Sequence, residues 1–175
     1  SGGGLQVFLG NGPQMGFELT GQLNVSCNAL ALTALPTESL IATADYDVVT
    51  VLATSDGQTA RWVSNLVLPG LVTDMVFVPV EDHPDRRLVV TVDDPPVAVV
   101  FEPAGGAFVE SARYDLGGHP VSVSGQELPG RSVVAIACQA DEVALLNIDA
   151  LSGQMTLDRH SVASSPASIV VGDLL

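Results

Sequence analysis

Residues 118–155, GHPVSVSGQELPGRSVVAIACQADEVALLNIDALSGQM, read as one four-stranded unit, and the rest of the chain follows from that reading. Pro120 to Ser124 alternates, Ser132 to Cys138 is a run of small and β-branched residues, and Val143 to Ile148 is a third apolar run. The polar turn Gln139-Ala140-Asp141-Glu142 separates the second and third runs, and Ser152-Gly153 leads into a fourth strand from Gln154 to Arg159. Short runs of this kind make antiparallel hairpins: β-branched side chains fit the pleat, and Gly, Asp and Pro accommodate the reversals.

The same order recurs upstream. Strands are expected at Ala29–Thr33, Leu40–Ala44, Val48–Ala53 and Thr59–Val63, with turns at Pro36-Thr37-Glu38, Asp45-Tyr46-Asp47 and Asp56-Gly57. Four more are expected at Asp74–Val78, Leu88–Val92, Val97–Glu102 and Ala107–Arg113, separated by residues 81–85, Asp93-Asp94-Pro95-Pro96 and Gly105-Gly106. A hairpin of Leu5–Leu9 and Phe17–Leu23 precedes them, turning at Gly10-Asn11-Gly12-Pro13, and Ala167–Val171 begins a further copy. The tetrads starting at Ala29, Asp74, Pro120 and Ala167 repeat with a period of about 46 residues, which is a repeat-fold period. Turn glycines Gly12, Gly57, Gly105 and Gly153 keep the same step. Helical periodicity is weak throughout.

The expected fold class is therefore all-β, a β-propeller or partial propeller of four-stranded antiparallel blades. Residues 1–4 read as a flexible linker or cloning remnant, 5–25 as a half blade, and 28–65, 72–114 and 118–160 as blades. Residues 166–175 read as the first strand of a further blade. Two architectures fit. The half blade and the last strand could share one blade and close a four-bladed ring, or the chain could be part of a larger propeller completed by another chain or shortened by truncation. The second is favoured because the last strand stops mid-blade at Asp173-Leu174-Leu175.

The central unit resembles a WD-repeat blade: Gly118-His119 stands at the family's Gly-His pair, Asp141 at its turn acid, and Leu146-Asn147 where it has Trp-Asp. The resemblance implies a structural network of His119 and Asp141, with Ser132 as third member, and a non-catalytic interaction scaffold. The blades starting at Ala29 and Asp74 lack Gly-His and keep only acidic turns. Phe8 to Gly12 and Val171 to Leu174 resemble FG-GAP propeller repeats, which implies a calcium-stabilised adhesion-type propeller as an alternative. The loops lack the Asp series calcium requires, and only residues 81–85 hold several carboxylates. A resemblance to lactonase-like propellers gives a third reading, a hydrolytic enzyme.

Composition narrows the chemistry. A formal charge of −14 disfavours a direct grip on nucleic-acid phosphates or anionic lipid and suits a basic protein partner. All six basic residues are Arg, so no lysine is available for Schiff-base or Ser-Lys chemistry. Cys27 and Cys138 lie in apolar runs and read as small buried hydrophobes. His83, His119 and His160 fall in different units without metal-site spacing, so neither metal nor cofactor is expected. Asn24-Val25-Ser26 fits the glycosylation triplet without an accompanying leader, no apolar run spans a membrane, and an intracellular setting is favoured. The expected contact residues are an acidic rim of Glu81, Asp82, Asp85, Asp93 and Asp94, with Trp62 beside Arg61 as an interface anchor. An unfinished last blade also predicts self-association or completion of the propeller by another chain.

Overall fold

The structure is a computed structural model that describes residues 5–10, 17–23, 27–35, 37–55, 59–80, 83–149 and 151–172; residues 5–10, 17–23, 80 and 83–85 are described as backbone only. Its described residues form fourteen strands and no helix. A hairpin of β1 (Leu5–Gly10) and β2 (Phe17–Leu23) makes a two-stranded sheet. The first four-stranded antiparallel sheet comprises β3 (Ala29–Ala34), β4 (Ser39–Asp45), β5 (Val48–Thr54) and β6 (Arg61–Val67). The second comprises β7 (Val72–Val80), β8 (His83–Val92), β9 (Val97–Ala104) and β10 (Ala107–Asp115). The third comprises β11 (Pro120–Leu128), β12 (Arg131–Cys138), β13 (Glu142–Asp149) and β14 (Met155–Ser161).

Each sheet runs in simple chain order, the meander of a propeller blade, and the first strands β3, β7 and β11 lie next to one another. The expected all-β blades are thus present. Blade 1 ends later than the sequence suggests: its outer strand begins at Arg61 and continues to Val67, past a bulge opposite Val51 and Leu52. Residues 167–171 form no strand, because a strand needs a ladder and no described segment pairs with them. They nevertheless lie beside β11, where Val171 N–H donates to Ser124 Oγ at 3.1 Å, the side on which a next inner strand would stand.

Two cores hold the blades face to face, and in each small side chains lie among larger ones. In the first, blade 1 supplies Ala29, Ala31, Ala42, Ala44 and Ala53, with Val49 and Val51. Blade 2 fills that surface with Met75, Phe77, Leu88, Phe101 and Phe108. In the second, Val78, Val89, Ala98 and Val100 on the opposite face of blade 2 receive Ile136, Leu146 and Ile148 of blade 3. Interdigitating side chains of mixed size let twisted sheets approach without voids, and blade 2 is buried on both faces.

Hydrogen bonds repeat at the same places. Asp74 on β7 accepts Met75 N–H at 2.9 Å and Val123 N–H of β11 at 2.8 Å, stapling two inner strands through one carboxylate. Ser64 Oγ accepts the buried Phe108 N–H at 2.7 Å, joining blades 1 and 2. Asn28 donates to Val72 O and accepts Tyr46 N–H, tying the lead-in of blade 1 to that of blade 2. Gly70 and Gly118 serve these lead-ins: a Cβ there would sit 1.9 Å from Asp94 O and 2.3 Å from Gln139 O respectively.

Candidate functional site

The sequence places five acids on one rim; the structure describes the side chains of two of them, Asp93 and Asp94. Glu81 and Asp82 lie outside the described residues, and of Asp85 only the backbone, within β8, is described. Asp93 and Asp94 follow the far end of the same ten-residue strand. A strand rises about 3.3 Å per residue, so β8 carries the backbone of Asp85 far from Asp93 and Asp94, toward the opposite end of the blade. Asp93 and Asp94 sit in the turn between β8 and β9, where Asp93 N–H donates to Leu71 O at 2.9 Å.

His119 and Asp141 are not brought together as the WD-type network requires. The His119 Nδ1 lies 2.7 Å from Asp93 Oδ1 and 3.2 Å from Asp93 O, across the junction of blades 2 and 3. The backbone pins this lead-in to its own blade, where Gln139 N–H donates to His119 O at 2.8 Å. The imidazole is left to bridge to the preceding one. Its pKa is raised above the ordinary 6.5, first by the hydrogen bond to the Asp93 side chain and then by the Asp93 carbonyl and charge. Asp141, with Ala140, adopts a left-handed backbone in the turn before β13. Its carboxylate accepts Ser165 Oγ at 2.8 Å and its carbonyl accepts Val162 N–H at 2.8 Å, so it anchors the segment leaving blade 3. Ser132 is likewise diverted, donating through Oγ to Pro79 O of blade 2 at 2.8 Å.

Trp62 is 60% exposed on the outward face of blade 1, with its indole N–H directed at Asn65 Oδ1 at 3.3 Å. The strand register sets it in line with Leu52, Ile41 and Leu32, the last 66% exposed. The neighbouring row is Leu30, Thr43, Thr50 and Asn65. These two rows carry no formal charge, an unusual feature on a chain of net charge −14. The row of four was hidden in the sequence, since its members come from four strands and meet only through register.

On the other face of blade 1 a cleft of about 270 Å³ opens toward blade 2. Its apolar lining includes Leu40, Val63 and Phe108, and its polar lining Glu38, Arg61, Arg86 and the Gly105-Gly106 turn. Arg61 pairs with Glu38 at 3.1 Å. A second, polar cavity of about 260 Å³ lies on blade 3, lined by residues including Arg131, Asn147 and Asp149. There the Ser152 N–H and hydroxyl, at 2.8 and 2.7 Å, hold the Asp149 carboxyl below its usual pKa.

The remaining candidates are dispersed over the described residues. Cys138 is buried, and desolvation, followed by the nearby Glu142 charge, pushes its thiol up to about 11. Cys27 is exposed, contrary to the buried position expected from its apolar run. His160 is exposed at the end of β14, and the side chain of His83 and the triplet 24–26 lie outside the described residues. Among the described residues no group of three or more His, Cys, Asp or Glu side chains is placed to hold a metal ion, and no helix is long and apolar enough to cross a membrane.

No family model and no curated protein matches the sequence. Among solved structures, the chain is similar to a structural-genomics target protein from Lactobacillus plantarum, with a TM-score of 0.57 and 19% identity over 83% of this chain. This chain spans 45% of that neighbour's length. The likeness concerns the fold alone, and together with the repeated antiparallel four-stranded sheets it makes this chain an all-β protein of propeller-like architecture.

Proposed function

We propose that this chain is a non-catalytic protein-interaction scaffold, a WD-repeat-like propeller subunit of a larger assembly whose blade stack another protein completes. One observation carries the reading: an uncharged row, Leu32, Ile41, Leu52 and Trp62, crosses the outward face of blade 1, with its end members Leu32 and Trp62 exposed and Ile41 buried between them. Its apolar members are of the kind that the blades bury against one another in the two cores. The partner is accordingly a sheet whose contacting face is uncharged and apolar. The chain's overall negative charge favours basic residues around that contact, where complementary charge speeds encounter. The WD-repeat assignment rests on Gly118-His119 and on Asp141 in its turn, with the His119 bond to Asp93 as a departure from that pattern.

Light scattering on the isolated chain tests this. The wild type is expected to associate at micromolar concentration, and Leu32→Asp and Trp62→Glu to reduce its mass toward the monomer, because both place a charge in the apolar row. A compact monomer whose mass is unchanged by either substitution would sink the scaffold reading. A mass that falls only when calcium is chelated would instead support the calcium-stabilised propeller.

A further inference from the structure

The cleft between blades 1 and 2 differs from its surroundings in charge. Six cations serve a chain with twenty acids, yet two of the six, Arg61 and Arg86, line this one cavity. Among the described residues Glu38 is the one acidic residue in its lining, and neither arginine is without a partner of its own. Beneath them the buried Leu40, Val63 and Phe108 offer an apolar floor. The cavity is firmly built: the Phe108 amide is held by Ser64 of the neighbouring blade, and its ring packs at a tilt on Phe77 with centroids 6.2 Å apart. Gly105 and Gly106 both have positive φ and carry no Cβ, so the turn over the cavity leaves its space clear. The ion pair with Glu38 holds Arg61 in place without exhausting it, since a guanidinium has five N–H donors in a planar fork suited to a carboxylate.

We infer that this cleft binds a carboxylate carried on a short apolar body, with the guanidinium groups of Arg61 and Arg86 gripping the anion and Phe108, Leu40 and Val63 receiving the branched or ring portion. A cavity of about 270 Å³ accommodates only a small group, which fits either a free short-chain acid or the last residue of a peptide. A few directed polar groups above an apolar floor is the usual build of a small-ligand site. The site is independent of the outward face of blade 1, which lies on the other side of that sheet.

Amide chemical shifts of Gly105, Gly106 and Phe108 provide the readout, titrated with 4-methylpentanoate, its uncharged amide, and N-acetylglycylleucine. Saturable shifts with the acid are expected at roughly millimolar dissociation constant, as suits a ligand of so few atoms. Arg61→Gln and Arg86→Gln are each expected to weaken binding about tenfold, the loss of a charge-assisted hydrogen bond. Tighter binding of N-acetylglycylleucine than of 4-methylpentanoate assigns the site to peptide C-termini, and the reverse assigns it to free acids. Equal binding of the uncharged amide, or no saturation with the acid by about 50 mM, overturns the inference in the wild type without recourse to variants.

Discussion

The imidazole of His119 joins two blades through a single acceptor residue, and that gives it a pH signature. Its pKa is raised above 6.5 in the folded protein by Asp93. A base with a raised pKa contributes stability that is whole below the unfolded value and disappears as the pH climbs through the folded one. The thermal midpoint of the wild type should therefore decline over that interval relative to His119→Gln. Asp93→Asn should remove the same increment. Superimposable pH profiles for wild type and His119→Gln would show that the bridge contributes nothing in solution. The pair is half exposed, so the effect is small and should shrink further with salt.

At the scale of elements, blade-to-blade registry depends on polar staples between strands as well as on apolar faces. Asp74 is the one to remove, since its carboxylate answers two amides and one of them, Val123 N–H, belongs to the next blade. Asp74→Ala is expected to lower the unfolding free energy by about 1–3 kcal/mol, the cost of leaving a partly buried donor unanswered. Asp74→Asn keeps an acceptor oxygen and should lose less. Urea denaturation of the two variants checks the order, and equal losses would show that packing alone sets the junction. The acidic turns were legible as turns in the sequence, because Asp, Pro and Gly mark reversals. Their grouping was not, because adjacency along the chain says nothing of the ten-residue strand that separates Asp85 from residues 93–94.

For the whole molecule, the decisive fact is that blade 2 belongs to both cores. Repeat proteins couple only neighbours, so a shared central blade should tie the outer two into one cooperative unit. Leu146, fully buried on blade 3, and Trp62, the only tryptophan, on blade 1, allow a test. Leu146→Ala should cost about 2–5 kcal/mol. It should also shift the unfolding midpoint seen by Trp62 fluorescence as far as the one seen by far-ultraviolet circular dichroism. A fluorescence midpoint that stays in place while the other moves would show that the blades unfold separately.

What the sequence by itself determined is the repeating unit: alternating or β-branched runs at a period of about 46 residues, broken by Gly, Asp and Pro, leave little but four-stranded antiparallel blades. Strand order within each blade followed, since short turns between successive strands enforce a meander. Only the tertiary structure decided which side chains meet. Leu32 and Trp62, thirty positions apart, share a row through register. Arg61 and Arg86 share a cleft because two sheets pack face to face, and His119 finds Asp93 because the lead-in of blade 3 lies against the turn after β8 of blade 2. The physical reason is common to all three. Local conformation depends on neighbours in the chain and can be read from them, whereas a site is a coincidence of distant residues that exists only after strands are registered and blades are stacked.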